Sequence, residues 1–142
     1  VPVPVSTSPL SQVFTVNALL PPVNRAGILT ISASTLTQAH LTAANVPEDT
    51  VIGSTEGGQE FTRAILGNEL QLDVAKARAA TVAAATAMVS AHPDLGAIVL
   101  ECTNMVPYAS DIRAAIGLPV FSIESFVTWF QSGLHPRRFP LG

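Results

Sequence analysis

The chain alternates between short apolar runs and longer stretches in which apolar residues recur with helical spacing. The short runs have the length and the flanking turn residues of buried strands, and they are residues 27–31, 51–53, 97–100 and 119–123. Helical spacing occupies residues 35–45, 69–92, 107–116 and 125–132. This alternation predicts an α/β fold in three layers, a mainly parallel, doubly wound sheet with helices on both faces.

The ends of the predicted helices carry local signals. The alanine-rich stretch 69–92 is the strongest helix pattern and has Leu70 on its apolar face. Residues 54–67 are polar and glycine-rich and predict a loop with one helical turn at residues 60–66. The expected boundary residues are Ser34 or Thr35 before the first helix, Pro93 after the second, Pro107 in the first turn of the third, Gly117 after the third and Gly133 after the fourth.

The predicted topology also predicts where a ligand would bind. In parallel sheets, binding sites lie beyond the carboxyl ends of the strands. Residues 30–35, 54–58 and 101–104 follow three of the predicted strands. We therefore expect the binding residues to come from these three segments.

Two units are expected along the chain. Residues 1–24 are interpreted as the end of a first, mostly absent half, with a strand or helix and a linker, and residues 25–142 as a second α/β domain. Residues 2–8 resemble residues 119–125, because each segment is a Pro-Val strand pattern followed by serines. The match is short, and coincidence explains it as well as an internal repeat does.

Composition excludes several classes of function. The chain has 142 residues, 48% of them hydrophobic and 12% charged, and its seven Lys and Arg against ten Asp and Glu give a net charge of −3. It has no basic stripe for nucleic acid and no apolar run of the ~18 residues that a transmembrane helix needs. The amino terminus lacks the pattern of a signal peptide. We expect a cytoplasmic protein that binds neither nucleic acid nor membrane.

Cys102 is the single cysteine, and the chemistry around it is the strongest functional signal. It directly follows a buried strand and precedes a predicted helix, whose free N–H groups would stabilise a thiolate. Free cysteines are usually inert core residues. Three polar neighbours, Glu101, Thr103 and Asn104, favour a binding site here, because burying polar groups is costly unless they are paired.

The segment from Ala97 to Tyr108, together with residues 112–121, resembles the aspartate/glutamate racemase family, in particular members with a Glu-Cys-Thr motif. Residues 27–36 also resemble the strand and loop that open the second domain of that family. The resemblance covers roughly residues 2–139. It implies one half of a pseudo-symmetric two-domain fold, with the active site between the halves and no cofactor.

The resemblance implies a role for each matched residue. Cys102 would be the acid/base that moves a proton at the substrate's α-carbon, and oriented donors would stabilise the carbanion. The implied substrate-binding residues are Thr103, Asn104, Ser32, Thr35 and Thr30, although Thr30 could equally serve only to end its strand. Two departures stand out. Family racemases often carry Glu or His where this chain has Asn104. They also use a second cysteine, whereas Cys102 is the single cysteine here.

These residues leave three functions open. The first is a cofactor-independent racemase or isomerase acting on a small amino acid, hydantoin or related carboxylate. The second is an arylmalonate-type decarboxylase on the same scaffold, and the third is an inactive truncated fragment or binding remnant. Self-association, or association with a missing amino-terminal half, is expected for a half-site.

The remaining polar residues carry weaker expectations. Glu101 is expected either to orient Thr103 or a neighbouring loop, or to pair with a basic residue. His40 is expected to be a core or interface histidine on the apolar side of its helix. The three histidines are far apart in sequence, so no metal site is expected.

Overall fold

A four-stranded parallel sheet organises the protein. The computed structural model describes residues 8–58 and 60–140. Within these residues the sheet order is β2-β1-β3-β4, and every neighbouring pair is parallel. The strands are β1 (Arg25–Thr30), β2 (Ile52–Ser54), β3 (Leu95–Leu100) and β4 (Val120–Phe121). The four strands predicted from the apolar runs are all confirmed.

Helices cover both faces of the sheet, which confirms the predicted three-layer α/β fold. The described α-helices are α1 (Gln12–Leu19), α2 (Gln38–Ala43), α3 (Glu60–Leu66), α4 (Val74–Ala91), α5 (Ala109–Ile116) and α6 (Ile123–Leu134). Two short 3-10 helices, Pro9–Ser11 and Thr103–Tyr108, precede α1 and α5. Among the described helices, none is both long and apolar enough to cross a membrane.

The two central strands are buried on both faces, which is why they read as continuous apolar runs. On β1, Leu29 packs towards α3, α4 and α5, whereas Ile28 packs towards α1 and α2. On β3, Ile98 and Val99 divide between the same two cores in the same way. Two independent apolar cores therefore hold the sheet from opposite sides.

Helix α4 comes very close to the sheet. A Cβ atom added to Gly53 would lie 2.7 Å from the sulfur of Met88, a residue on α4. Gly27 on β1 meets the same methionine side chain. Both glycines leave room for Met88, so α4 packs directly over the centre of the sheet.

The amino-terminal segment packs on the sheet as well. Leu10, Val13 and Val16 are buried with Ile28 and Val99 in one of the two cores. The strand suggested at residues 2–8 lies outside the described residues except for Ser8. The division at residues 24 and 25 stays a prediction.

Two expected helix starts are wrong, and in both cases a polar side chain explains the difference. Helix α2 begins at Gln38 with Thr37 as its N-cap, rather than after Ser34 or Thr35. The hydroxyls of those two residues are engaged in the preceding loop, with Glu56 and with the Ser32 carbonyl. The alanine-rich helix begins at Val74 rather than at residue 69.

Asp73 explains the later start of α4. Its carboxylate accepts a hydrogen bond of 3.1 Å from the backbone N–H of Lys76, which satisfies one of the free N–H groups of the first turn. Leu70 therefore lies before the helix and is fully exposed, not on an apolar face. The same cap lowers the pKa of Asp73, mainly through this backbone hydrogen bond.

The later boundaries agree in part with the sequence. Gly117 ends α5 in the left-handed conformation (φ 72°), as predicted. Pro107 lies inside the 3-10 helix, so α5 begins two residues after it. Gly133 lies within α6 instead of ending it, and residues 60–66 form a seven-residue helix instead of a single turn.

Replacement of Ile98 by alanine tests the packing of the sheet. Ile98 is fully buried on β3, so Ile98→Ala should lower the free energy of unfolding by about 2–5 kcal/mol, through lost burial and the cavity left behind. Leu70→Ala shortens a side chain of similar size that is exposed to solvent, and it should change the free energy of unfolding by less than about 0.5 kcal/mol. Urea unfolding followed by circular dichroism measures both, and similar losses for the two variants would contradict this packing.

Candidate active site

A cavity of about 650 Å³ opens at the carboxyl ends of β1 and β3. This is the edge at which the sheet topology predicts a site. The cavity is bounded by the residues that follow β1, by the residues that follow β3, by part of α2 and by the segment before α1. Its lining residues are Ser8, Pro9, Leu10, Ser11, Thr30, Ile31, Ser32, Thr35, Leu36, His40, Ala43, Ala44, Glu101, Cys102 and Thr103.

Five of the six predicted binding and catalytic residues line this cavity. Thr30, Ser32 and Thr35 come from the end of β1 and its following loop, and Cys102 and Thr103 come from the end of β3. Asn104 is exposed and does not line the cavity, but its N–H and its side chain both act on the Cys102 thiol. The structure thus brings the predicted residues together, and their roles stay predictions.

Cys102 is half-buried at the junction between β3 and the 3-10 helix Thr103–Tyr108. Burial raises the pKa of the thiol above its ordinary value. Hydrogen bonds from Asn104 and from the backbone N–H of Met105 act in the opposite direction, while the negative charge of Glu101 adds to the increase. The net effect is opposite to the thiolate stabilisation expected from the sequence, because desolvation outweighs the N–H groups.

Glu101 is held in place through both its backbone and its side chain. Its backbone N–H donates to the carbonyl of Leu29, at 2.9 Å, and extends the β1–β3 pairing by one residue. Its carboxylate oxygen Oε2 accepts a hydrogen bond of 2.8 Å from Thr30 Oγ1. Thr30 is almost completely buried, so it fixes the carboxylate firmly. Thr30 leads into the loop after β1, so Glu101 acts on a neighbouring segment, and not on Thr103 or a described basic residue.

The loop after β1 is fixed by a carboxylate from the loop after β2. Glu56 accepts hydrogen bonds from the hydroxyls of Ser32 (2.7 Å) and Ser34, and from the backbone N–H of Ser34 (3.2 Å). These donors lower the pKa of Glu56, with Ser34 contributing most. The segment after β2 therefore supports the wall of the cavity from outside, without lining it.

Three of the hydroxyl protons around the cavity are committed within the protein. Thr30 donates to Glu101, Ser32 donates to Glu56, and Thr35 donates to the carbonyl of Ser32 at 3.1 Å. A hydroxyl has one proton to donate. In this arrangement the three oxygens can offer a ligand only lone pairs.

Thr103 differs from these three residues. Its hydroxyl forms no hydrogen bond with another described residue, and Thr103 is exposed in the cavity wall. It is therefore the lining hydroxyl from the β3 side that can still donate to a ligand.

His40 is a lining residue for which the expected core position is wrong, whereas the expected interface position stays a prediction. It is exposed on α2, not in a core, and its Nδ1 accepts a hydrogen bond of 3.2 Å from the backbone N–H of Thr37. This interaction caps the first turn of a short helix. The spacing from Thr37 to His40 matches a capping box, which is the signal that could have indicated an exposed position.

The described residues do not suggest a metal site. No three His, Cys, Asp or Glu side chains within them lie close enough together to hold a metal ion. The titratable groups that line the cavity are the Cys102 thiol, the Glu101 carboxylate and the His40 imidazole.

No family model matches the chain. Among solved structures, the allantoin racemase of Pseudomonas fluorescens is similar, with a TM-score of 0.60 and 16% sequence identity. The similarity covers 94% of this chain and 60% of that protein. At this identity the likeness establishes a shared fold, so the fold of this chain is racemase-like.

Two curated proteins are similar in sequence over part of the chain. A dimethylsulfoniopropionate lyase from Durusdinium sp. clade D is 38% identical over 68 residues, which are 46% of this chain and 23% of that protein. Dimethylsulfoniopropionate lyase 5 from Emiliania huxleyi (strain CCMP1516) is 36% identical over 61 residues, 43% of this chain and 12% of that protein. The matches thus span less than a quarter of the length of these relatives.

The alkylation rate of Cys102 tests the raised pKa of the thiol. Iodoacetamide reacts with the thiolate, and Cys102 is the single cysteine of the chain. The pH midpoint of the rate should lie above that of the same chain unfolded in urea, where the thiol titrates near the ordinary value of about 8.5. Steric shielding changes the rate at every pH but not the midpoint. A midpoint equal to or below that of the unfolded chain would contradict net destabilisation of the thiolate.

Proposed function

We propose that this chain carries out cofactor-independent proton transfer at the α-carbon of a small carboxylate, with Cys102 as the acid/base. The observation that carries the proposal is the position of Cys102 in a racemase-like fold. It lies in the wall of a cavity at the carboxyl ends of β1 and β3, with Thr103 and Glu101 beside it. The first candidate function is therefore that of a racemase-type isomerase.

The proposed mechanism needs an anion-stabilising side to the cavity. A proton α to a carboxylate is very weakly acidic, so donors must hold the carboxylate while negative charge develops. In the proposal this is the role of the uncommitted hydroxyl of Thr103. Asn104 acts on the thiol, where its N–H donates towards the sulfur that must become negative.

The raised pKa of the thiol fits a base that is active only when substrate is bound. The protonated thiol is favoured by the surroundings of Cys102, since burial outweighs the Asn104 and Met105 hydrogen bonds and raises the pKa. A bound group that offsets the charge of Glu101 would lower this pKa, because that charge contributes to the increase. The proton donor and the proton acceptor of the proposed reaction are then the two protonation states of Cys102.

One cysteine addresses one face of the α-carbon. For this chain we propose exchange of the α-proton with retention of configuration. Inversion would require an acid/base group on the opposite face, from a second copy of the chain or from residues outside it. The association expected from the sequence stays a prediction.

The second candidate function is that of a lyase, and the two curated relatives named as dimethylsulfoniopropionate lyases favour it. The first step is the same. The Cys102 thiolate takes the α-proton, the C–H electron pair forms the carbon–carbon double bond, and the C–S bond breaks with its pair on sulfur. Dimethyl sulfide and acrylate are the products, and the thiol returns its proton to solvent. This reaction needs a base on one face only.

Two of the functions expected from the sequence remain alternatives to proton exchange. A malonate decarboxylase would use Cys102 to protonate a planar intermediate after loss of carbon dioxide. An inactive fragment or binding remnant would show no turnover. Measurements of exchange and of product release distinguish both alternatives from proton exchange.

The racemase-type function predicts exchange of α-protons with solvent. In D₂O the chain should exchange the α-proton of an amino acid or a 5-substituted hydantoin for deuterium. Proton NMR measures the loss of the α-proton signal, and chiral chromatography should show that the configuration is retained. Cys102→Ser should lower the rate about 10²- to 10⁴-fold, the usual contribution of a general base, with an unchanged circular dichroism spectrum. Ser110→Ala, an exposed substitution on α5, serves as a control and should leave the rate unchanged.

Exchange that is equally fast in Cys102→Ser would remove the role of the cysteine. Absence of exchange for every compound would contradict the proposal that this chain suffices for the step. Loss of carbon dioxide from an arylmalonate, dependent on Cys102, would instead favour the decarboxylase.

The lyase function predicts dimethyl sulfide release. Incubation with dimethylsulfoniopropionate should yield equal amounts of dimethyl sulfide, measured by gas chromatography, and acrylate, measured by NMR. Cys102→Ser should lower both by about the same 10²- to 10⁴-fold, because both follow one proton abstraction. Release at the rate of the buffer control, together with Cys102-dependent exchange on amino acids, would rule out the lyase and favour the isomerase.

A further inference from the structure

The charge of the cavity wall has one sign. Among the described lining residues Glu101 carries the carboxylate, and none is lysine or arginine. His40 and Cys102 are the other titratable groups. The second acidic residue nearby, Glu56, is exposed and is engaged with the serines of the loop after β1. A ligand in this cavity therefore meets one fixed negative charge.

Three lining hydroxyls on the β1 side of the cavity act as acceptors towards a ligand. Thr30, Ser32 and Thr35 donate their hydroxyl protons to protein oxygens, so their remaining capacity is lone pairs. A second carboxylate on a ligand beside Glu101 would meet its negative charge, and these three hydroxyls would offer it no proton. A cationic group would be favoured by both.

Glu101 is built for a ligand in a fixed position. Its Oε2 is held at 2.8 Å by Thr30, a residue whose side chain is almost completely buried. Its backbone is held to Leu29 of β1. A pre-oriented carboxylate loses little side-chain entropy when it binds a charge, which is the condition under which such a contact discriminates between ligands.

We propose that Glu101 is the specificity-determining residue of the site, which holds the sulfonium or ammonium group of a small carboxylate such as the candidate substrates named above. The inference rests on the proposed function, since it assigns the α-carbon between the two charges to Cys102. The apolar lining residues Leu10, Leu36 and Ala44 suit the methyl groups of an onium ion.

The arrangement links substrate charge to the state of the thiol. The negative charge of Glu101 raises the pKa of the Cys102 thiol and so favours its protonated form. A cation bound to Glu101 offsets that charge and favours the thiolate. The substrate that fits the cavity thereby supplies part of the activation of its own base, whereas a dicarboxylate would oppose it.

Paired ligands of equal shape test the inference. Dimethylsulfoniopropionate and 4-methylpentanoate differ in replacement of the sulfonium centre by an uncharged CH. Isothermal titration of each with Cys102→Ser, a variant in which the proposed turnover is suppressed, therefore isolates the effect of charge on binding. We expect the sulfonium compound to bind about tenfold more tightly. Glu101→Gln should reduce the difference to within about twofold, mainly by weakening the sulfonium compound.

Two further variants control the experiment. Glu48→Gln removes the same charge from an exposed residue before β2, outside the cavity wall, and should leave the preference unchanged. Glu101→Asp retains the carboxylate and should retain most of the preference, which keeps the test decisive should Glu101→Gln fold poorly. Circular dichroism of each variant accompanies the titrations.

The outcomes separate this inference from the proposed function. Equal affinity for the two ligands in Cys102→Ser with Glu101 in place, tighter binding of 4-methylpentanoate, or binding of neither would overturn the inference, as would a preference that survives the addition of Glu101→Gln. Cys102-dependent exchange that is equally fast with carboxylates lacking a cationic group would also overturn the inference, while leaving the proton-transfer function standing. A charge preference without any Cys102-dependent reaction would retain the role of Glu101 and reject the proton-transfer function.

Discussion

The parallel pairing of β1 with β3 is the constraint on which the site depends. Its register places Leu29 opposite Leu100, and the next hydrogen bond runs from the N–H of Glu101 to the carbonyl of Leu29. Thr30 and Glu101 are 71 residues apart in sequence, and this register brings them to 2.8 Å. A slip of one residue would move every side chain of the strand to the other face of the sheet. The two apolar cores prevent that slip and therefore hold the site together.

Hydrogen bonding at this edge sets the position of some groups and leaves others to bind ligand. Glu56 holds the loop after β1 through Ser32 and Ser34, and Thr30 holds Glu101. The residues that the sequence suggested as ligand donors thus act mainly on other protein groups. Cys102 lies among them and is half-buried, and its surroundings raise the pKa of the thiol. A site built in this way is rigid before the substrate arrives, which lowers the reorganisation needed during reaction.

Sequence patterns predicted the strands and the edge of the sheet at which the site lies, because both follow from apolar runs and parallel topology. The same rule placed Cys102 and four of the five predicted binding residues in the lining of the cavity. Sequence patterns missed what depends on contacts between distant segments. The pairing of Glu101 with Thr30 joins residues 71 positions apart. The pairing of Glu56 with the loop after β1 joins residues 22–24 positions apart. The sign of the thiol pKa shift was missed for a related reason, since burial is set by packing.

The racemase-like fold and the partial likeness to lyases are compatible at the level of the first chemical step. Removal of a proton from the carbon next to a carboxylate begins racemisation, and it begins β-elimination as well. The two reactions diverge after this step, because a racemase needs a proton donor on the opposite face, whereas an elimination needs a leaving group on the neighbouring carbon. This chain contains one cysteine, and the described cavity wall carries one fixed negative charge. In the proposed lyase reaction a cationic leaving group would use both features, because the charge that attracts it to Glu101 would be lost when the C–S bond breaks, and the neutral sulfide would then be released.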